Sequence, residues 1–167
     1  EKDDLPLRVK WVNDEETNLT LRFDWPISLS KTQAWFQNTI NDSSKIHLVI
    51  VDCHSYKLIG MAGLLWIDYK NKNAEFYVTI GEKEFQGLHI PDEVIYLTLE
   101  YAFTELALVR VYLQTFDYNV RAKRVYERNG FIKEGILRKH KWKRGELRDI
   151  VYYGILKDEW ERFNANK

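Results

Sequence analysis

Three apolar runs rich in β-branched residues follow one another between Ile46 and Ile80, and they constrain the fold more than any other feature of the chain. They cover residues 46–52, 58–68 and 74–80, and such runs favour β-strands. The polar segments between them are too short for the crossover that parallel neighbours need. The sequence therefore predicts an antiparallel meander of three strands.

The second half of the chain changes to helices and strands in alternation. Apolar residues at helical spacing, buried β-branched runs and turn residues mark the boundaries. The predicted elements are helices at 91–106 and 122–129 and strands at 109–115, 135–142 and 148–156. Gly130 is a plausible glycine after the second helix, and residues 143–146 are the turn of a hairpin between the last two strands.

Two helices are expected before the meander. Residues 4–13 carry Leu5, Val9 and Val12 at helical spacing, and a turn-rich segment then runs to Ser28. Ser30 is the predicted N-cap of a second helix that ends near Asn41. No repeat or linker divides the 167 residues. Together these elements predict a single domain, residues 1–167, with an α/β sandwich fold around a mixed, mostly antiparallel sheet.

Charge and cysteine content limit the partners. Lys+Arg 25 against Asp+Glu 25 gives a formal net charge of zero, which argues against nucleic acid or an anionic membrane as the main partner. Cys53 is the sole cysteine, so neither an intrachain disulfide nor a multi-cysteine zinc site is expected. We expect a cytoplasmic protein.

Three short motifs within this order of elements are specific enough to suggest a protein family. They are Ala74-Glu75-Phe76, Asn119-Val120-Arg121-Ala122 and Tyr126-Glu127-Arg128-Asn129-Gly130-Phe131. Their order and spacing resemble the GNAT superfamily of N-acetyltransferases, in particular its branch of ribosomal-protein N-terminal and spermidine N-acetyltransferases. The resemblance covers nearly the whole chain and implies a GNAT-like α/β sandwich.

The resemblance also implies two catalytic residues. Tyr126 occupies the position whose hydroxyl protonates the departing thiolate of coenzyme A, a task for which a phenol serves because it stays protonated at neutral pH. The alternative is a core tyrosine with a satisfied hydroxyl. Glu75 would bind the amine or deprotonate it, directly or through water, and the alternative is a solvated charge at a strand end.

A further set of residues is implied to bind acetyl-CoA. Backbone groups of Val78 and Ile80 would hold the pantetheine arm. Asn119 would contact the cofactor or a water, or cap the helix that follows it, or both. The whole cofactor-binding set implied by the resemblance is Val78, Ile80, Gln86, Gly87, Leu88, His89, Ile90, Pro91, Asn119 and Ala122.

The chain departs from the family pattern in two places. The pyrophosphate loop of the family reads Gln/Arg-x-x-Gly-x-Gly/Ala. Here His89 occupies the Gly position and Pro91 occupies the Gly/Ala position. Proline offers no N–H to a phosphate, and Asp92 adds a negative charge nearby. The family also usually has a strand before the helix that contains Trp11, and the sequence predicts none.

The resulting hypothesis is an acetyl-CoA-dependent N-acetyltransferase that works by direct attack in a ternary complex, without a metal. Its acceptor would be a primary amine: a polyamine, an amino sugar, an antibiotic amine or a protein N-terminus. The resemblance is also compatible with a homodimer. The alternative is a GNAT-like domain whose altered loop has left it a non-catalytic binding or interaction module.

Overall fold

A single six-stranded sheet forms the middle of the fold. The structure is a computed structural model that describes residues 1–23 and 25–165. The strands are β1 (Ile46–Val51), β2 (Leu58–Asp68), β3 (Asn73–Ile80), β4 (Arg110–Phe116), β5 (Ile132–Lys143) and β6 (Glu146–Leu156). They lie in the order β1-β2-β3-β4-β6-β5, and only the β3–β4 pair is parallel. The predicted meander and the mixed, mostly antiparallel sheet are confirmed.

Six α-helices of the described residues cover this sheet. They are α1 (Leu5–Asn13), α2 (Glu15–Thr20), α3 (Leu29–Thr39), α4 (Ile90–Thr104), α5 (Val120–Arg128) and α6 (Lys157–Ala165). The longest has 15 residues, and no helix within 1–23 and 25–165 combines the length and apolar character that crossing a membrane requires.

Helix starts near the amino end differ from the sequence prediction at two points. Asp14 accepts hydrogen bonds from the backbone and side chain of Thr17 and thereby begins α2, a helix that the prediction placed in a turn-rich segment. Ser28, and not Ser30, caps α3, because its hydroxyl accepts the backbone N–H of Lys31. An N-cap needs extended backbone, which Ser28 has, whereas Ser30 already lies inside the helix.

The two faces of β3 contact different layers. Phe76 packs in the main core with Leu99 of α4 and with Val125 and Tyr126 of α5. Tyr77 points the other way, where its hydroxyl bonds His47 Nδ1 at 2.8 Å, and the His47 ring packs edge-on against Trp35 of α3. Alternation along the strand therefore assigns even-numbered side chains to the α4–α5 layer and odd-numbered ones to the α1–α3 layer.

Strands β3 and β4 are paired over a short distance only. Their register runs from Asn73 opposite Arg110 to Glu75 opposite Tyr112 and stops there. Beyond Glu75, β3 continues to pair with β2, while β4 continues to pair with β6. The two central strands therefore separate, and a gap opens in the middle of the sheet.

At the far edge of the sheet, the outer side of β1 has no strand beside it within the described residues. Leu48, Val49 and Val51 are exposed there.

Candidate active site

A cavity of about 360 Å³ occupies the gap between β3 and β4. Its walls come from both faces of the sheet, with Val78 and Ile80 on the α4–α5 side and Arg22 and Phe23 from the segment after α2. The cavity therefore passes through the sheet at the point where the two strands separate. Two ligands could meet inside it, each arriving from its own face.

Tyr126 lies in the cavity wall on the α5 side. Its ring packs against Phe131 and Tyr153 at centroid distances of 6.0 and 6.1 Å, so its position is fixed. No residue within 1–23 or 25–165 forms a hydrogen bond with its hydroxyl. Burial raises the pKa of Tyr126 to about 12, which keeps the hydroxyl protonated as a donor for a ligand.

Glu75 sits at the vertex where the strands separate, almost completely buried. Arg22 Nη2 pairs with one of its carboxylate oxygens, and Gln114 Nε2 donates to the other at 3.2 Å. Arg22 Nη1 also donates to Gln114 Oε1 at 3.0 Å, which closes a ring of three side chains. Burial raises the pKa of Glu75, while the charge and hydrogen bonds of Arg22 and the hydrogen bond of Gln114 oppose that rise.

The loop before α4 combines two residues of positive φ with backbone N–H groups that have no partner among the described residues. Gly87 and His89 both have positive φ, 88° and 60°, a region that costs glycine little but strains other residues. No described residue accepts a hydrogen bond from the N–H groups of Gly87, Leu88 or His89. Pro91 is the second residue of α4, so its missing N–H removes one donor from the helix start.

The negative charge of Asp92 beside this loop is compensated. Arg128 donates to it through Nε at 2.7 Å and Nη2 at 2.5 Å, and Asn129 Nδ2 donates as well. Burial alone would raise the pKa of Asp92, but these contacts outweigh it and lower the pKa to about 2. The expected repulsion of phosphate by Asp92 is thus weakened by a neighbouring cation.

The start of α5 adds a second group of residues to the same end of the cavity. Asn119 Oδ1 accepts the backbone N–H of Ala122 at 3.2 Å, so Asn119 is the N-cap of α5, and both residues also line the cavity. Arg121 lies next to the loop, with Nη1 at 3.4 Å from Gln86 Oε1. The guanidinium of Arg121 therefore lies beside the stretch that carries the three free N–H groups.

The structure brings most of the sequence-derived set together. Tyr126, Val78, Ile80, Gln86, Gly87, Pro91, Asn119 and Ala122 line the cavity. Leu88, His89 and Ile90 belong to the adjoining loop without lining it, and Glu75 lies beneath the floor, behind Arg22.

Sequence reasoning missed several polar residues of the cavity, among them Arg22, Gln114, Arg121 and Lys141. Arg121 stands inside a recognised motif, and its basic charge next to Asn119 was the available signal. Lys141 lies in the basic run at 138–144, whose charge was the available signal. Arg22 and Gln114 carry no local signal, because they come from an irregular segment and from a strand.

In the described residues, one group of three side chains has the spacing of metal ligands: Asp52, Cys53 and His54. All three belong to the turn between β1 and β2, and none lines the cavity. This group therefore takes no part in the chemistry of the cavity.

Comparisons of sequence and of structure with known proteins both find acetyltransferases. A family model described as an acetyltransferase (GNAT) domain matches residues 1–132. A spermidine N(1)-acetyltransferase of Vibrio cholerae is 29% identical over 150 residues, which cover 89% of this chain and 86% of the relative. A putative ribosomal N-acetyltransferase of Bacillus subtilis is 39% identical over 104 residues, 62% of this chain and 56% of that relative.

The fold comparison covers almost the entire chain. The crystal structure of a spermidine N-acetyltransferase from Vibrio cholerae, in complex with CoA and spermine, superposes with a TM-score of 0.91 at 27% identity. The match includes 96% of this chain and 94% of that one.

Proposed function

The chain belongs to the GNAT family of acetyltransferases and transfers an acetyl group from acetyl-CoA to an amine, and on that premise we propose that the transfer takes place in the cavity between β3 and β4. The observation that carries this proposal is the position of the Tyr126 hydroxyl, which lies in the cavity wall without a described protein partner. No fully buried side-chain oxygen among the described residues lacks a partner, so this unpartnered hydroxyl is open to the cavity, where a ligand atom can bond it.

The α4–α5 side of the cavity suits acetyl-CoA. The free N–H groups of Gly87, Leu88 and His89, the positive end of α4 and the guanidinium of Arg121 would hold its pyrophosphate. Val78 and Ile80 lie on the stretch of β3 that pairs with β2 alone, so backbone groups on the opposite edge are available to the pantetheine arm, except the Ile80 carbonyl, which accepts Gln86 Nε2 at 3.2 Å. These residues supply donors and positive charge, as a phosphate and an amide-containing arm require.

Tyr126 would donate its proton to the sulfur as the thiolate leaves. An apolar surrounding disfavours charge, so it raises the basicity of a thiolate as well as the pKa of Tyr126. The proton then moves to sulfur over a hydrogen bond that forms only in the loaded site, which is the geometry that general acid catalysis needs.

Glu75 would accept the proton of the attacking amine through a water molecule. Burial raises the pKa of its carboxyl, which makes it a better base than an exposed glutamate. Arg22 stands between Glu75 and the cavity, so the proton path runs beside this guanidinium. Both catalytic roles remain predictions until the variants described in the Discussion are measured.

The acceptor in this proposal is a small primary amine, as in the spermidine acetyltransferases that the chain resembles. It would enter from the α1–α3 face, past Phe23 and Tyr77, because the α5 face is the one suited to acetyl-CoA. Cytoplasmic location and a homodimer also remain predictions; light scattering of the purified protein tests the second.

Calorimetric titration of acetyl-CoA, followed by an assay of thiol release with primary amines, tests the proposed function. The Arg121→Gln variant should bind acetyl-CoA about tenfold more weakly, since a charged hydrogen bond to phosphate is lost. Arg124→Gln removes the same charge from an exposed position of the same helix and is the matched control. Absence of acetyl-CoA binding by the native chain would contradict the proposal, and binding without turnover would favour the non-catalytic alternative.

A further inference from the structure

The acceptor end of the cavity carries positive charge. Arg22 and Lys141 both line it, and their side chains come from the segment after α2 and from β5. Lys143, two residues further along β5, reaches Asn18 and the carbonyl oxygens of Leu21 and Phe23. Since side chains two apart on a strand point to the same face, Lys141 lies on the Arg22 side of the sheet.

Arg22 is held in place by groups that leave it partly open to the cavity. Its Nη2 pairs with Glu75 and its Nη1 donates to Gln114, yet 29% of its side chain remains exposed. A guanidinium has five N–H donors, so several remain for a ligand. Because Glu75 has a side-chain exposure of 3% and is paired with Arg22, its negative charge is cancelled before an acceptor can meet it.

The charge of Lys141 is not paired within the described part of the chain. No residue within 1–23 or 25–165 forms an ion pair or a side-chain hydrogen bond with its ammonium group. The one acidic residue in the cavity lining is Glu16, which lies at the rim with 73% of its side chain exposed and pairs with Lys83. Among the described residues, Lys141 is therefore the cation at the acceptor end whose charge no ion pair offsets, while Arg22, paired with Glu75, keeps N–H donors for a ligand.

These two cations are separate from the group suited to pyrophosphate. Arg22 contacts Glu75, the last residue of β3 that pairs with β4. Arg121 lies beside Gln86, beyond the other end of β3, and belongs to the α5 layer. The cavity thus has two positive ends on opposite faces of the sheet, and acetyl-CoA accounts for one of them.

We infer that the acceptor carries a carboxylate in addition to its amine, and that this carboxylate binds between Arg22 and Lys141. The inference rests on the proposed function, since it assigns a substrate class to the same site. Lys141 supplies the unpaired positive charge, and Arg22 supplies the N–H donors that Glu75 and Gln114 leave free. A polycation such as spermidine meets like charge here, which disfavours it.

The test compares each α- and ω-amino acid of a panel with its own carboxamide. Thiol release from acetyl-CoA is measured for both, along with spermidine, and kcat/KM is expressed per unprotonated amine. The carboxylate form of the preferred acceptor should exceed its amide about tenfold or more, as expected for a charged hydrogen bond in a partly buried site. Spermidine should be slower than that acceptor.

The Lys141→Gln variant tests whether Lys141 causes the preference for a carboxylate over its amide. It should lower the carboxylate-to-amide ratio about fivefold to tenfold while leaving acetyl-CoA affinity unchanged. Lys133→Gln makes the same charge change at an exposed position of β5 and should leave the ratio unaltered. A ratio is the relevant measurement because a merely destabilised protein would lose activity toward both forms alike.

Three results would overturn the inference: equal use of acids and amides, a preference for spermidine, or no turnover of any carboxylate-bearing amine. In each case acetyl-CoA binding, measured separately, decides whether the proposed function still holds. If acetyl-CoA does not bind, the proposed function itself has failed.

Discussion

Arg128, in the last turn of α5, donates hydrogen bonds of 2.5 and 2.7 Å to both carboxylate oxygens of Asp92, in the first turn of α4. The pair joins the two helices whose amino ends face the anionic part of acetyl-CoA in the proposed complex. The pair also explains how Asp92 can lie beside the proposed anion site, since the positive charge of Arg128 offsets the negative charge of Asp92.

Arg128→Gln should weaken acetyl-CoA binding about threefold to tenfold, because Asp92 then repels the pyrophosphate without compensation. The effect should shrink as salt is added, since the groups are partly exposed. Calorimetric dissociation constants at two salt concentrations measure it, with Arg124→Gln as control. An unchanged dissociation constant in Arg128→Gln would show that Asp92 does not influence the cofactor.

The double change His89→Gly and Pro91→Gly should tighten acetyl-CoA binding about tenfold. Glycine tolerates the positive φ of position 89, and position 91 regains an N–H for phosphate. The free protein should become less stable by about 1 kcal/mol per added glycine where no strain is relieved. Calorimetry measures the affinity for acetyl-CoA, and thermal unfolding measures the stability of the free protein. Equal or weaker binding would mean that His89 and Pro91 belong to a working site built differently from the family pattern.

Tyr126→Phe should reduce kcat about a hundredfold or more, with folding and acetyl-CoA affinity nearly unchanged. The hydroxyl has no described partner, so its removal leaves no protein group unsatisfied. Tyr153→Phe is the matched control, because that hydroxyl donates to Glu127 at 2.7 Å outside the cavity. The control should lose some stability and keep its turnover. Full turnover by Tyr126→Phe would remove the assignment of Tyr126 as the acid.

Glu75→Gln should lower kcat and alter the acid limb of the pH dependence of kcat/KM, since glutamine cannot accept a proton. Burial raises the pKa of the native carboxyl, so the acid limb should lie above the ordinary range of a glutamate. Glu134→Gln breaks an Arg110–Glu134 pair at the surface and serves as control. A pH profile that is the same in Glu75→Gln and in the native chain would exclude Glu75 as the base.

His47 should make stability depend on pH between its two pKa values. Burial, with the charges of Arg8 and Lys45, lowers its pKa from 6.5 to about 4, although Asp42 partly opposes this. Between these values the unfolded chain binds a proton that the folded chain does not, so stability falls as pH drops from 6.5 toward 4.

Thermal unfolding of His47→Gln beside the native chain measures this dependence. The variant should show a flatter dependence of stability on pH in that range than the native chain. Identical slopes in the native chain and in His47→Gln would show that His47 titrates at its ordinary pKa.

Local patterns in the sequence were sufficient for most elements. The three runs before Ile80 predicted the meander, and Asn119 and Gly130 marked the ends of α5, because caps and strand alternation depend on neighbours in the chain. Where two candidate caps stood close together, the local pattern was not enough. Ser28 and Ser30 are both good capping residues, and the choice depended on which of them has extended backbone.

The sequence by itself determined the family, the sheet and the positions of Tyr126, Asn119 and the Gln86–Pro91 loop, since each of these lies in a contiguous motif. Only the tertiary structure decided what surrounds them. Arg22 meets Glu75 across 53 positions of sequence, and Lys141 joins them from a third element. Such contacts arise when separate elements pack together, and no periodicity or spacing along the chain encodes them. The grouping of charges that is proposed to select an acceptor is therefore a property of the folded molecule.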